Sequence, residues 1–231
     1  MRSVLYSITS LVMRFLLRLF STWRIDGLEN VPRKGPLILV ANHISNLDGP
    51  LVGASIPRHI SFIAKHDVVK SLFGRLLRLY GVRAMNEDIR DASVFFWARE
   101  LLERDGALLF FPEARRNLHG MQKATPGVAL IATKTQTPVL PIALIGTEKF
   151  DPFWRVIMPK GEFTVRIGKP FLLPKVNGPI KRHQLELFGE MIMRRVAYML
   201  PEQYRGAYDF QDLPLVDLCT DIQPETAVNR T

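Results

Sequence analysis

The chain of 231 residues has a single cysteine, Cys219, so no intrachain disulfide can form. No cluster of cysteine and histidine has the spacing of metal ligands, and no structural zinc or other metal is expected. No internal repeat and no low-complexity tract is present. A long uncharged apolar run is missing too. The most apolar stretch, residues 3–22, is interrupted by Arg14 and Arg18, and the uncharged run before Arg14 has eleven residues, where a spanning helix needs about 20. Acidic charge is scarce and unevenly placed. The net charge is +9, yet residues 209–231 carry five acids against one base, so the first 208 residues carry +13. A basic body points to an anionic partner: a membrane surface, a phosphorylated substrate or nucleic acid.

What is present is an ordinary globular balance, 47% hydrophobic and 23% charged, long enough for one α/β domain with a proper core. Residues 1–22 are expected to form an amphipathic, membrane-associating helix. At about 100° per residue, Ser3, Ser7, Ser10, Arg14, Arg18 and Ser21 make a narrow polar stripe among large apolar side chains. Such a helix would lie in one leaflet with its arginines at the headgroups. Packing of the same helix on the protein's own core is the alternative.

Residues 23–208 form the expected catalytic domain, and residues 209–231 an acidic, mobile tail. Short β-like runs (37–41, 60–64, 82–85, 107–111, 139–144 and 163–167) alternate with helical patterns (47–55, 71–80, 88–104, 127–135 and 180–200). The runs at 37–41 and 107–111 are continuously apolar, as in strands buried on both faces. The alternation predicts an α/β fold: a mixed, mostly parallel sheet flanked by helices.

Two strand ends carry polar clusters. Ala41-Asn-His-Ile-Ser-Asn-Leu-Asp48 follows the first buried strand, where open α/β sheets place their sites. His43 and Asp48 would diverge on a continuous helix or strand and meet only if the chain turns between them. Ser45 and Asn46 offer that turn, with a helix starting near Asn46. A carboxylate fixing one ring nitrogen leaves the other as a general base for a hydroxyl attacking a thioester. Ser45-x-x-Asp48 also has capping-box spacing, which gives Asp48 a purely structural alternative. The second cluster is Phe111-Pro-Glu-Ala-Arg-Arg116. Its guanidiniums suit a phosphate and Glu113 suits a hydroxyl; an exposed glutamate–arginine salt bridge is the plainer alternative.

Together these stretches resemble the glycerophospholipid acyltransferase family, that of the 1-acyl-glycerol-3-phosphate acyltransferases. Asn42-His43 through Asp48 is similar to the family's N-H-x-x-x-x-D motif. Residues 111–116 resemble its F-P-E-G-T-R motif, with Ala114 for glycine and Arg115 for threonine. Pro138-Val-Leu-Pro-Ile142, Gly27-Leu-Glu-Asn-Val-Pro32 and Leu200-Pro-Glu-Gln-Tyr-Arg-Gly206 resemble further blocks of the family in order. The resemblance implies His43 as general base, Asp48 as its orienting partner, Glu113 at the acceptor's polyol end and Arg116 on its phosphate. It implies acyl-CoA or acyl-carrier protein as co-substrate, with no cofactor, no metal and no acyl-enzyme. The acceptor it implies is a lysophospholipid, first of all 1-acyl-glycerol-3-phosphate, giving phosphatidic acid. The expected place is the cytoplasmic face of a membrane, with membrane lipids as partners and no nucleic acid.

This sequence departs from the family where an arginine is expected and Glu87 stands instead. Arg83, Arg90 and Lys65 are then the nearby candidates for the phosphate, Arg115 adds a charge, and Ala114 occupies a position suited to an unusual backbone angle. The rival from another class is a non-catalytic basic module on an anionic membrane or nucleic acid.

Overall fold

A computed structural model describes residues 2–65, 82–85, 92–150, 158–209 and 218–225. Among these, nine strands form one sheet. In chain order the first elements are α1 (Arg2–Phe20), β1 (Ser21–Asp26), β2 (Leu37–Ala41), α2 (Asp48–Ser55), β3 (Ile60–Lys65) and β4 (Val82–Met85). Then follow α3 (Ala92–Glu103), β5 (Ala107–Phe110), α4 (Gly127–Thr135), β6 (Val139–Ile145), β7 (Gly161–Ile167) and β8 (Phe171–Leu172). The last are α5 (Arg182–Ala197), α6 (Glu202–Arg205) and β9 (Thr220–Asp221). The helix expected at 71–80 and the start of that expected at 88–104 lie outside the described residues.

The strand order is β1-β7-β6-β2-β5-β3-β4, with β8 pairing β6 and β9. Strands β6, β2, β5, β3 and β4 are mutually parallel. β7 runs antiparallel to β6 and parallel to β1. The sheet is therefore mixed and mostly parallel, as the alternation of patterns predicts. β2 sits in its middle, and the period of two divides its side chains between two cores. Leu37, Leu39 and Ala41 join the core under α1 and α2. Ile38 and Val40 join the core under α3, α4 and α5. A strand buried on both faces has no polar side to show, which is why 37–41 reads as one apolar run. β7 has one core face only: Phe163, Val165 and Ile167 are buried, whereas Glu162 and Arg166 are exposed.

α1 packs on the domain through a narrow face that joins Ser10 and Arg14 of the polar stripe to the apolar side chains beside them, while Ser7 and Arg18 of that stripe stay exposed. Tyr6, Ser10, Met13 and Leu17 are buried. Arg14 donates from Nε to the Ala54 carbonyl (2.7 Å) and from a terminal nitrogen to that of Ile56 (3.4 Å), the favourable position for a cation at the C-terminus of α2. This corrects the expectation for Arg14: its guanidinium serves a helix end of its own domain, not a lipid headgroup. On the opposite side Val4, Ile8, Leu11, Val12, Phe15 and Leu19 are each at least half exposed. At helical spacing they make one continuous apolar stripe. No helix among the described residues is long and apolar enough to cross a membrane.

Two boundaries differ from expectation. The chain leaves helix at Phe20 and enters a strand at once, where β1 pairs β7 from Ser21↔Gly161 to Asp26↔Arg166. Beyond β1, Gly27 has φ of 81°, and a Cβ there would lie 2.1 Å from the Ile167 carbonyl oxygen, so the turn requires glycine. Within the segment expected to be a mobile tail, residues 218–225 lie against the sheet. β9 pairs β8, Asp221 bonds Arg195, and Ile222 packs on Leu172.

Candidate active site

Because β6, β2 and β5 are adjacent and parallel, their carboxyl ends deliver three loops to one edge of the sheet. The central loop begins at Asn42. Its buried amide replaces a further strand residue, donating to the Leu144 carbonyl (2.9 Å) and accepting from the Leu144 N–H (2.8 Å). The exit of β2 is thereby locked to β6, and the next residue is His43.

The turn after His43 is held by one carboxylate oxygen. Asp48 Oδ2 accepts from the backbone N–H groups of Ile44 and Ser45 (2.7 Å each) and lies 2.8 Å from His43 Nδ1. Ser45 Oγ accepts from the Leu47 N–H (3.2 Å). The turn is longer than expected, and α2 begins at Asp48 rather than near Asn46. The structural and chemical alternatives for Asp48 therefore hold together, since the oxygen that accepts the Ser45 N–H also faces the imidazole. Asp48 is fully buried, and its Oδ1 has no hydrogen-bond partner among the described residues. A carboxylate only accepts, so Nδ1 carries the proton and Nε2 presents a lone pair. The ring stacks on Phe111, with centroids 4.2 Å apart and planes at 21°. Its side chain stays 22% exposed, so the imidazole is fixed in orientation and still reachable.

The loop after β5 closes on the same place. Glu113 is buried, and both its oxygens receive backbone N–H groups: Oε1 from His43 (3.0 Å) and Oε2 from Gln122 (2.8 Å). This burial excludes the exposed salt-bridge alternative. Burial raises the Glu113 carboxyl to about 7; the two N–H bonds oppose the shift and the nearby Asp48 adds to it. The Asn117 N–H in turn bonds the His43 carbonyl (2.9 Å). Ala114 adopts φ of 57°, the left-handed conformation anticipated for a position where glycine would be at ease. Arg115 and Arg116 follow it on the exposed side of the loop.

Lys65 ends β3 and Arg83 pairs with Ile63 in the register of β4; their side chains, like Glu87 and Arg90, lie outside the described residues. Among those described, no group of three or more acidic, histidine or cysteine side chains could hold a metal ion.

A pocket opens between these loops. Residues 42–44, Glu113, the loop residues Asn117, Leu118, Gly120 and Met121, and Tyr204 line it. Tyr204 was not among the residues the sequence singled out for the site. No spacing rule links it to His43, although it stands in one of the blocks quoted for the resemblance.

A mostly parallel α/β sheet with a histidine–aspartate pair at the end of its central strand is the arrangement expected from the acyltransferase motifs of the sequence. The model of the Acyltransferase family matches residues 22–145, and the chain belongs to that family. The chain is 34% identical over 159 residues to the chloroplastic 1-acyl-sn-glycerol-3-phosphate acyltransferase BAT2 of Brassica napus, covering 66% of this chain and 46% of that protein. It is 33% identical over 152 residues to the chloroplastic LPAT1 of Arabidopsis thaliana, covering 63% of this chain and 42% of that one. The chain thus spans under half the length of these two relatives. The crystal structure of the 1-acyl-sn-glycerophosphate (LPA) acyltransferase PlsC from Thermotoga maritima superimposes with a TM-score of 0.64 at 27% identity, over 86% of this chain and 80% of that one.

Proposed function

We propose that the protein transfers a fatty acyl group from a thioester, acyl-CoA or acyl-carrier protein, to the free hydroxyl of 1-acyl-glycerol-3-phosphate, forming phosphatidic acid. The observation that carries this is the 2.8 Å contact between His43 Nδ1 and Asp48. It leaves Nε2 of a partly exposed imidazole as the base at the sheet's carboxyl edge. In the reaction the acceptor hydroxyl attacks the thioester carbonyl as its proton passes to Nε2. Asp48 stabilises the imidazolium so formed. The tetrahedral intermediate then expels the thiolate, which takes the proton back, so no acyl-enzyme is needed.

Arg115 and Arg116, on the exposed side of the same loop, supply guanidiniums for the acceptor's phosphate. Glu113 acts on the acceptor side through the loop it anchors. Lys65 and Arg83 sit on strands whose carboxyl ends point to the same edge, and they complete the set of candidate phosphate ligands. The apolar stripe of α1, together with the +13 body, supports a position on an anionic membrane, at its cytoplasmic face. The test is a panel of lysolipids offered in vesicles with labelled acyl-CoA and acyl-carrier protein, the products being weighed by mass spectrometry. Phosphatidic acid should dominate. Transfer to a different headgroup would reassign the acceptor. No transfer, with salt-sensitive binding of vesicles or nucleic acid retained, would favour the non-catalytic rival.

A further inference from the structure

When a hydroxyl adds to a thioester, the carbonyl π electrons move onto the carbonyl oxygen. An anion stands there until the C–S bond breaks, and a fixed hydrogen-bond donor beside it lowers the barrier. His43 takes up a proton in that step and does not serve the oxygen. Three other polar side chains that line the pocket are already committed. Both atoms of the Asn42 amide are taken by Leu144. The Glu113 carboxylate accepts from the backbone of His43 and Gln122. The Tyr204 hydroxyl gives its proton to Glu148 at 2.9 Å.

Asn117 remains. It directly follows the 111–116 motif, and its backbone N–H bonds the His43 carbonyl at 2.9 Å, which sets it beside the imidazole's own residue. Its side chain is oriented by a second bond: Oδ1 accepts from the His119 N–H at 2.9 Å. An amide so held has its oxygen turned back on its own loop and its NH2 at the other end, with two protons to give. That NH2 has no hydrogen-bond partner among the described residues. Asn117 is half-buried and lines the pocket. The loop that carries it is braced from behind. The Met121 N–H donates to the Tyr204 carbonyl (2.9 Å), the Ala207 N–H to the Met121 carbonyl (2.8 Å), and the Ala124 N–H to the Tyr208 hydroxyl (3.0 Å).

We propose that Asn117 is a catalytic residue whose side-chain NH2 donates to the carbonyl oxygen of the thioester and to the oxyanion that this oxygen becomes. This rests on the acyl transfer proposed above. The acceptor oxygen forms a bond to the carbonyl carbon, its proton passes to His43 Nε2, and the π pair settles on the oxygen that faces Asn117. The pair then returns, the C–S bond breaks, and the thiolate takes the proton from the imidazolium. Asn117 neither gains nor loses a proton. A neutral amide suits an oxygen whose charge is transient, whereas the guanidiniums of Arg115 and Arg116 suit a phosphate that is charged throughout.

The experiment compares the full chain with Asn117→Asp and Asn117→Ala on vesicles, varying donor and acceptor separately. Asn117→Asp keeps an oxygen for the His119 N–H and removes both donors, so the turn and the Tm should be those of the wild type. In both variants kcat should fall about 10²–10³-fold, with both KM values within about threefold. A second measurement reads the contact itself. The infrared carbonyl band of acyl-CoA labelled with carbon-13 at the thioester (or of the labelled carrier-protein thioester, if wild type turns over only that) is recorded bound to each protein without acceptor. It should lie at lower wavenumber on the wild type than on either variant. A near-native kcat in Asn117→Asp, a rise in acceptor KM at unchanged kcat, or a band at the same position in all three proteins would overturn the inference while leaving the acyl transfer standing. Wild-type protein that acylates no lysolipid would overturn both.

Discussion

Replacing Glu113 with glutamine tests whether this buried carboxylate is the clamp that holds His43. Its two oxygens accept one backbone N–H each, from His43 and from Gln122. An amide can satisfy only one of them, and its NH2 group then faces the other N–H. One buried donor left unpaired costs about 1–3 kcal/mol. The carboxylate also carries a pH signature. Its folded value of about 7 stands above the ordinary 4.5, chiefly through burial. The native state therefore holds the proton more tightly than the unfolded chain. The stabilisation is full below the unfolded value of 4.5 and is lost as the pH rises through the folded value near 7. At 1.36 kcal/mol per unit this loss is about 3 kcal/mol. Glutamine has no such titration. Urea unfolding of both proteins from pH 5 to 8 should show the variant's deficit shrinking as the pH rises. At pH 7.5 kcat should fall about ten- to a hundredfold, because the variant's loop no longer fixes His43. A deficit that stays constant from pH 5 to 8 would refute the burial argument. A rise in acceptor KM at unchanged kcat would make Glu113 a direct ligand of the acceptor instead of a clamp.

Three further perturbations probe the frame around His43 and the exposed face of α1. Ala114→Gly should stabilise the protein by about 0.5–1 kcal/mol, since Ala114 holds φ of 57° at a cost that glycine avoids; a lower Tm in the variant would contradict this. Asn42→Ala leaves both the N–H and the carbonyl of Leu144 without their partner, so denaturant unfolding should show a loss of about 2–4 kcal/mol. Leu11→Glu with Phe15→Glu places charges on the exposed stripe of α1 and should weaken binding to anionic vesicles at least about tenfold, with circular dichroism and Tm unchanged; full retention on vesicles would remove α1 from the membrane contact.

The central strands were legible because burial on both faces writes itself as uninterrupted apolar residues, as at 37–41 and 107–110. The motif residues were legible because they follow those strands directly. β1 was missed although Trp23 and Ile25 alternate with Thr22, Arg24 and Asp26; the apolar helix before it hid so short a period, and only pairing with β7 makes it a strand. Arg14 was misplaced because periodicity defines a polar stripe without saying what faces it, and the carbonyls of Ala54 and Ile56 are 40 and 42 residues away. The turn from His43 to Asp48 required three-dimensional closure, and five-residue spacing is silent on it. Tyr204 was invisible as a site residue for the same reason: the contacts that bring it to the pocket run to Glu148 and Met121, 56 and 83 positions earlier.

The central claim is that His43, aimed by Asp48, takes the proton from a lipid hydroxyl. Single-turnover transfer from labelled acyl-CoA to 1-acyl-glycerol-3-phosphate, comparing wild type with His43→Ala under matched vesicle binding, addresses it most directly. The account predicts a chemical step slower by about 10²–10⁴ in the variant, with the vesicle affinity and Tm of the wild type. A variant that forms phosphatidic acid at a near-native rate would contradict it.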